Sequence, residues 1–215
     1  MLGGFLNITA PLSTADYLED RIQSPERAQL FVALQTTRVS FENIGRNADF
    51  SFVVLDKLDL SNSDFRTVRM RNSVLSESNI AYTTFKDGVF SGSDFTGARG
   101  LSNNFTGCDL TNADFSQALV NNSNFSNALL QGGRFNNANL IQAVFAGPLE
   151  NASFEGANLD GANFRDVTDV ENAAFGNALI ERLNAPPELI EQLKARGATS
   201  DFSVWRDRTE ANWLP

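Results

Sequence analysis

The sequence predicts a repeat solenoid rather than a layered globular domain, and two observations predict it. First, a large apolar residue recurs at every fifth position from Phe50 to Phe145. The series runs Phe50, Leu55, Leu60, Phe65, Met70, Leu75, Ile80, Phe85, Phe90, Phe95, Gly100, Phe105, Leu110, Phe115, Val120, Phe125, Leu130, Phe135, Leu140, Phe145, broken only at Gly100. Second, a small residue stands two places before most centres, as at Ser63, Ser73, Ser93, Ala113, Ala118 and Ala138. A period of five fits neither an α-helix nor a β-strand. It is the mark of one structural unit stacked on copies of itself.

Asp or Asn often lies between the small residue and the centre, as in Ala113-Asp114-Phe115, Ala138-Asn139-Leu140 and Ala157-Asn158-Leu159. This pattern resembles the pentapeptide-repeat family, whose motif is A-(D/N)-(L/F)-x-x, over about residues 48–180. The resemblance implies an all-β solenoid, a right-handed quadrilateral β-helix in which four pentapeptides make one coil. It also implies that the centre and the small residue point inward while the other three point outward. Residues twenty apart should then share one environment, and the sequence sorts itself that way. Phe65, Phe85, Phe105, Phe125 and Phe145 form an all-Phe column, Leu55, Leu75, Phe95, Phe115 and Phe135 a second, and Leu60, Ile80, Gly100, Val120 and Leu140 an aliphatic third. One residue is missing between Phe145 and Leu149, and one is added between Phe164 and Val170. After each slip the columns resume, which gives about six to seven coils and a rod about 30 Å long at strand spacing.

Taken in chain order, residues 1–38 are expected to form an N-terminal helical cap. Segments 14–23 and 25–35 read as short helices, with Ser24 as N-cap, Pro25 at the first helical position and Leu30, Phe31 and Leu34 on an apolar face. The mildly apolar start lacks the basic flank of a signal peptide and is expected to pack. The β-helix should span 39–183, with Phe65, Phe85, Phe105, Phe125, Phe145 and Phe164 as its core. Each buried Phe contributes roughly 1.5–3 kcal/mol, with more from ring stacking. Cys108 occupies a small inward site and reads as a packing thiol. A capping helix is expected over 184–197, opened by Pro186-Pro187-Glu188, covered by Leu189, Ile190 and Leu193, and stopped by Gly197. The tail, 198–215, carries both Trp residues of the chain. It either folds back along the rod or anchors to a partner or a second copy through Phe202, Trp205 and Trp213.

Composition excludes several functions. The chain has no His, which removes His-based triads and metal sites, and no P-loop or dinucleotide fingerprint appears. No enzyme, cofactor or metal is expected. A single Cys rules out an internal disulfide framework. No segment is long and apolar enough to span a membrane, and a cytoplasmic location is expected. The net charge of −9 lacks the basic footprint of direct nucleic-acid binding.

The outward positions supply the candidate sites. Tyr82, Leu101, Leu119 and Ile141 fall on one side in successive coils of an otherwise Asn/Ser/Asp/Thr-rich surface, a candidate apolar contact patch. Arg66 and Lys86, with Arg69 and Arg71 on the next face, form a candidate basic patch for an acidic partner. Acidic columns are interrupted: Arg134 follows Asp94 and Asp114, and Arg69 falls between Asp49 and Asp109. Asn104, Asn124, Asn139, Asn158 and Asn163 are expected to hydrogen-bond in stacked ladders. The leading expectation is a non-enzymatic interaction module or assembly scaffold for a multi-subunit protein complex, in keeping with a family abundant in bacteria and above all cyanobacteria. The alternative is a topoisomerase-binding DNA mimic of the quinolone-resistance type, which binds gyrase and dimerises through its C-terminal end. The interrupted acidic columns, the missing mid-rod loop and the Trp-bearing tail depart from that type.

Overall fold

The structure, a computed structural model, describes the backbone of residues 6–7 and 49–209 and the side chains of 49–206. The helices expected over 14–23 and 25–35, the cap assigned to 1–38, and Trp213 lie outside the described residues. Among the described residues, five short strands and two helices follow in order: β1 (Leu6–Asn7), β2 (Val53–Val54), β3 (Asn124–Ser126), β4 (Val144–Pro148), β5 (Asn163–Asp169), α1 (Pro187–Ala195) and α2 (Phe202–Thr209). Single parallel bridges fill the space between the named strands. Asp49 pairs with Arg69, Arg69 with Val89, Val89 with Asp109 and Asp109 with Leu129, each a step of twenty residues. Bridges recur every fifth residue, so each coil has four five-residue sides and the chain is a parallel β-helix.

Each side is one extended segment and one tight turn. In a representative side, the Phe105 N–H donates to the Asn124 carbonyl of the next coil at 2.8 Å, and the Asn104 N–H donates to the Thr83 carbonyl of the previous coil at 3.0 Å. The Cys108 N–H closes the turn on the Phe105 carbonyl at 3.1 Å. The third turn residue must adopt positive φ, and every fifth residue from Phe52 to Gln142 does, at 51–69°. That conformation costs most L-residues about 1–2 kcal/mol and suits Gly and Asn best. Gly92, Gly97, Gly107, Asn112, Asn122 and Asn127 occupy it accordingly. At Gly92 close approach adds a second reason, because a Cβ there would lie 2.3 Å from Asn72 Oδ1 one coil below.

The Asp or Asn of the motif has a local role. Its Oδ1 accepts the N–H two residues on: Asp114 from Ser116 at 2.9 Å, Asn104 from Thr106 at 3.0 Å, Asn124 from Ser126 at 2.9 Å and Asn158 from Asp160 at 3.0 Å. These are Asx turns. The expected Asn ladders are thereby corrected. Asn104, Asn124, Asn139, Asn158 and Asn163 all cap their own turn, because the neighbouring N–H is nearer than the next coil. Among these five, Asn163 alone also takes an amide bond from another coil, from Asn184 Nδ2 at 3.2 Å.

The register slips sit inside one pair of strands. Val144 pairs with Asn163, Ala146 with Asp166, and Pro148 with Asp169, so the step changes from nineteen to twenty to twenty-one along β4 and β5. The core then continues in phase, with Phe154, Phe164 and Phe175 all fully buried.

Inside the coil the Phe rings form a herringbone. Rings within a column lie nearly parallel, Phe85 on Phe105 at 4.6 Å and 1°, and Phe95 on Phe115 at 4.5 Å and 3°. Rings of the two facing columns meet edge to face, Phe105 on Phe115 at 5.4 Å and 86°. Both geometries put ring edges or offset faces together, as the aromatic quadrupole favours. Gly100 breaks the aliphatic column because Asn103 fills its place: a Cβ on Gly100 would meet Asn103 Nδ2 at 2.0 Å and Ile80 Cγ1 at 2.6 Å.

The last coil runs into α1. Leu189 and Leu193 are buried with the core, and Ile190 packs against it. The helix ends in a Schellman motif, with the Gly197 N–H on the Lys194 carbonyl, the Ala198 N–H on the Leu193 carbonyl, and Gly197 at φ 93°. The chain then rejoins the ladder, where Leu179 bridges Thr199.

Phe105→Ala removes a ring that stacks on two neighbours and abuts two more. It is expected to cost roughly 3–5 kcal/mol, read by urea or thermal melting; an unchanged Tm would sink the column account.

Candidate protein-binding face

On the side built around Ile80, Gly100 and Val120, the residues before the centres are Asn79, Arg99 and Leu119, and those after are Ala81, Leu101 and Asn121. Together with Gly100 they line one shallow groove of ≈ 250 Å³ that spans three successive coils. Leu101 is 40% exposed beside it, and Leu119 is half-buried in its wall. Tyr82 is 58% exposed, and its N–H donates to the Leu101 carbonyl at 2.8 Å. Its φ of 57° is one that Gly or Asn would adopt more cheaply. Ile141 lies half-buried one coil beyond, its carbonyl accepting from the Asn122 N–H at 2.9 Å. The structure therefore brings Leu101 and Leu119 into one groove, sets Tyr82 at its side, and leaves Ile141 outside the lining.

Sequence reasoning missed Arg99, Asn79 and Asn121 in the same groove. The available signal was the capping position, where Arg99 and Leu119 replace the usual Asp or Asn. It also missed Leu129, 56% exposed at another such position.

The tail candidates separate. Phe202 is 40% exposed, whereas Trp205 is fully buried and its indole N–H donates to the Gly156 carbonyl at 3.1 Å. Trp205 as a partner anchor is thus corrected. An indole buried on its own rod, with its one donor satisfied, is closed to a partner. Phe202 lies against it, ring centres 5.7 Å apart.

The basic patch is held by local acids. Arg66 forms an ion pair with Asp64 at 2.5 Å, and Arg69 and Arg71 both act electrostatically on Asp49. Lys86 is exposed one coil beyond Arg66. Arg134 likewise pairs with Asp114 at 2.7 Å across one coil, and Arg182 with Asp160. Burial alone would raise the Asp49, Asp64 and Asp114 carboxyls. Hydrogen bonds from Ser51, Arg66 and Ser116, joined by the neighbouring arginines, outweigh it and hold all three below the ordinary value. At Asp160 the Arg182 hydrogen bond dominates, in the same direction. Burial pushes the Cys108 thiol up to about 12, and its Sγ lies 2.9 Å from the Phe85 carbonyl. This is an inert packing group rather than a nucleophile. Among the described residues no group of three or more Cys, Asp or Glu comes together to hold a metal ion, and no helix is long and apolar enough to cross a membrane.

Four-sided coils, Asx-capped turns and a Phe-stacked interior define a solenoid of stacked pentapeptides. The family model for pentapeptide repeats matches in eight copies over residues 46–72, 73–117, 108–147 and 149–179, and the chain belongs to that family. Among solved structures it is similar to trypsin-treated QnrB1, a plasmid-mediated fluoroquinolone resistance protein, at 17% identity over 74% of this chain and 87% of that one, TM-score 0.39. It is similar to HetL, a pentapeptide repeat protein involved in heterocyst differentiation regulation from the cyanobacterium Nostoc sp. strain PCC 7120, at 19% identity over 76% and 83%, TM-score 0.20. A pentapeptide repeat protein from the Arabidopsis thaliana thylakoid lumen matches at 19% identity over 85% and 93%, TM-score 0.26. No curated protein matches the chain.

Trp205→Ala is expected to destabilise the C-terminal end by roughly 3–5 kcal/mol, seen as early loss of hydrogen-exchange protection around Gly156; protection equal to wild type would refute the docking. Acid is the second lever. Carboxyls depressed in the folded state stabilise fully above the unfolded value of about 3.9 and lose that contribution as pH falls through the lower folded value. Tm should therefore hold from pH 7 to about 4.5 and drop below about 4, and a Tm insensitive to pH below 4 would refute it.

Proposed function

We propose that this chain is a non-enzymatic protein-interaction module that presents rigid, flat faces to a larger protein assembly. The observation that carries this reading is the apolar groove with Tyr82 and Leu101 exposed beside it, on backbone tied coil to coil. A surface patch on such a ladder needs little ordering when a partner binds, so less affinity is lost to entropy. On this reading residues 1–38 cap the rod, 39–183 form about six to seven right-handed coils, 184–197 close the far end, and 198–215 hold that end down. The module works in a bacterial cytoplasm without cofactor, metal or nucleic acid. A second copy of the chain, joined at the C-terminal end, is its simplest higher assembly.

The charge pattern favours this reading over a gyrase-binding mimic of DNA. A mimic needs carboxylates displayed in a row, whereas Asp64 and Asp114 close their own turns and face arginines. Full-length baits, wild type and Tyr82→Asp/Leu101→Asp, compared by pull-down and mass spectrometry, test the choice. Recovery of one multi-subunit assembly by wild type and its loss by the variant, at equal Tm, is expected. Recovery of gyrase or topoisomerase IV subunits by both baits alike would overturn it.

A further inference from the structure

We propose that the groove over Gly100 receives an acidic side chain, flanked by apolar residues, from an extended segment of a protein partner. This rests on the interaction-module reading and names the chemistry of what that module binds. On this face the usual turn cap is present at both ends: Asn79 Oδ1 accepts the Ala81 N–H at 3.2 Å, and Asn139 Oδ1 accepts the Ile141 N–H at 3.3 Å. Between them the rule is broken twice in succession, by Arg99 and Leu119. Neither side chain carries an acceptor. The amides of Leu101 and Asn121 therefore lack the cap that Asn79 and Asn139 supply on this face, which leaves that place to an oxygen from outside the turn.

Two further features select a carboxylate on a peptide. Arg99 is the one charged residue lining the groove, and a guanidinium matches a carboxylate in a two-pronged bond. Leu101, Leu119 and Ala81 supply apolar walls for the flanking side chains. A carboxylate thus replaces the missing Asx oxygen.

The test uses full-length protein and a phage-displayed library of random short peptides. Recovered peptides should carry Asp or Glu next to an apolar residue. Replacing that residue by Asn or Gln should weaken binding by roughly tenfold or more, since a charge-assisted bond is lost. Arg99→Asn is the discriminating variant. It restores an Asx cap, so Tm should stay equal or rise while peptide binding falls by a similar factor. Peptides without a carboxylate, acidic peptides that bind Arg99→Asn as tightly as wild type, or no saturable binding at all would each overturn the proposal. Capture of an assembly by Arg99→Asn bait as efficiently as by wild type would sink this inference and leave the interaction module standing. Loss of any capture dependent on Tyr82 and Leu101 would remove both.

Discussion

A coil of this kind closes only if the chain turns after every five residues, and each turn needs one residue with left-handed backbone. That constraint organises the rest. It favours Gly or Asn at one position in five, as at Gly92 and Asn112. It leaves the N–H after each centre pointing away from the ladder, which is the donor the motif's Asp or Asn accepts. It also aims the centre and the small residue into the coil, where no water can reach them. The narrow interior is then filled by rings and aliphatic side chains stacked in columns, and the column spacing is that of the backbone ladder. Turn chemistry and core packing are thus one requirement seen from outside and from inside.

How much of this was legible in the sequence follows from which features repeat. Columns such as Phe65 to Phe145 were legible because one environment recurs and selects one residue type. The two slips were legible because the columns resume after them, and β4 and β5 absorb both within a few residues. Departures from the repeat were legible as positions but not as causes. Gly100 announced a break; that Asn103 fills its space required coordinates, since the amide arrives from the next side. Trp205 stood out as a rare aromatic in a tail, yet the choice between partner and rod depends on a contact to Gly156, forty-nine residues away. No periodicity reports such a contact. The role of Asn was misjudged for a related reason. Stacked Asn suggests ladders, but a donor two residues away is reached before one a coil away.

The same logic changes the meaning of the chain's acidity. Asp and Asn alternate freely at the capping position, Asp94, Asn104, Asp109 and Asp114 in adjacent sides and coils, because the turn requires only an oxygen. Part of the net charge in this fold therefore comes from turns that use Asp, some of them faced by Arg. It measures solubility and long-range field, not a displayed surface. The informative positions are those where the turn goes without its oxygen. A residue that forgoes the cap, such as Arg99, Leu119 or Leu129, gives up a local hydrogen bond. Where two such positions are stacked and line a groove, as Arg99 and Leu119 do, the sequence departs from the chemistry of the turn on a surface that a partner can reach.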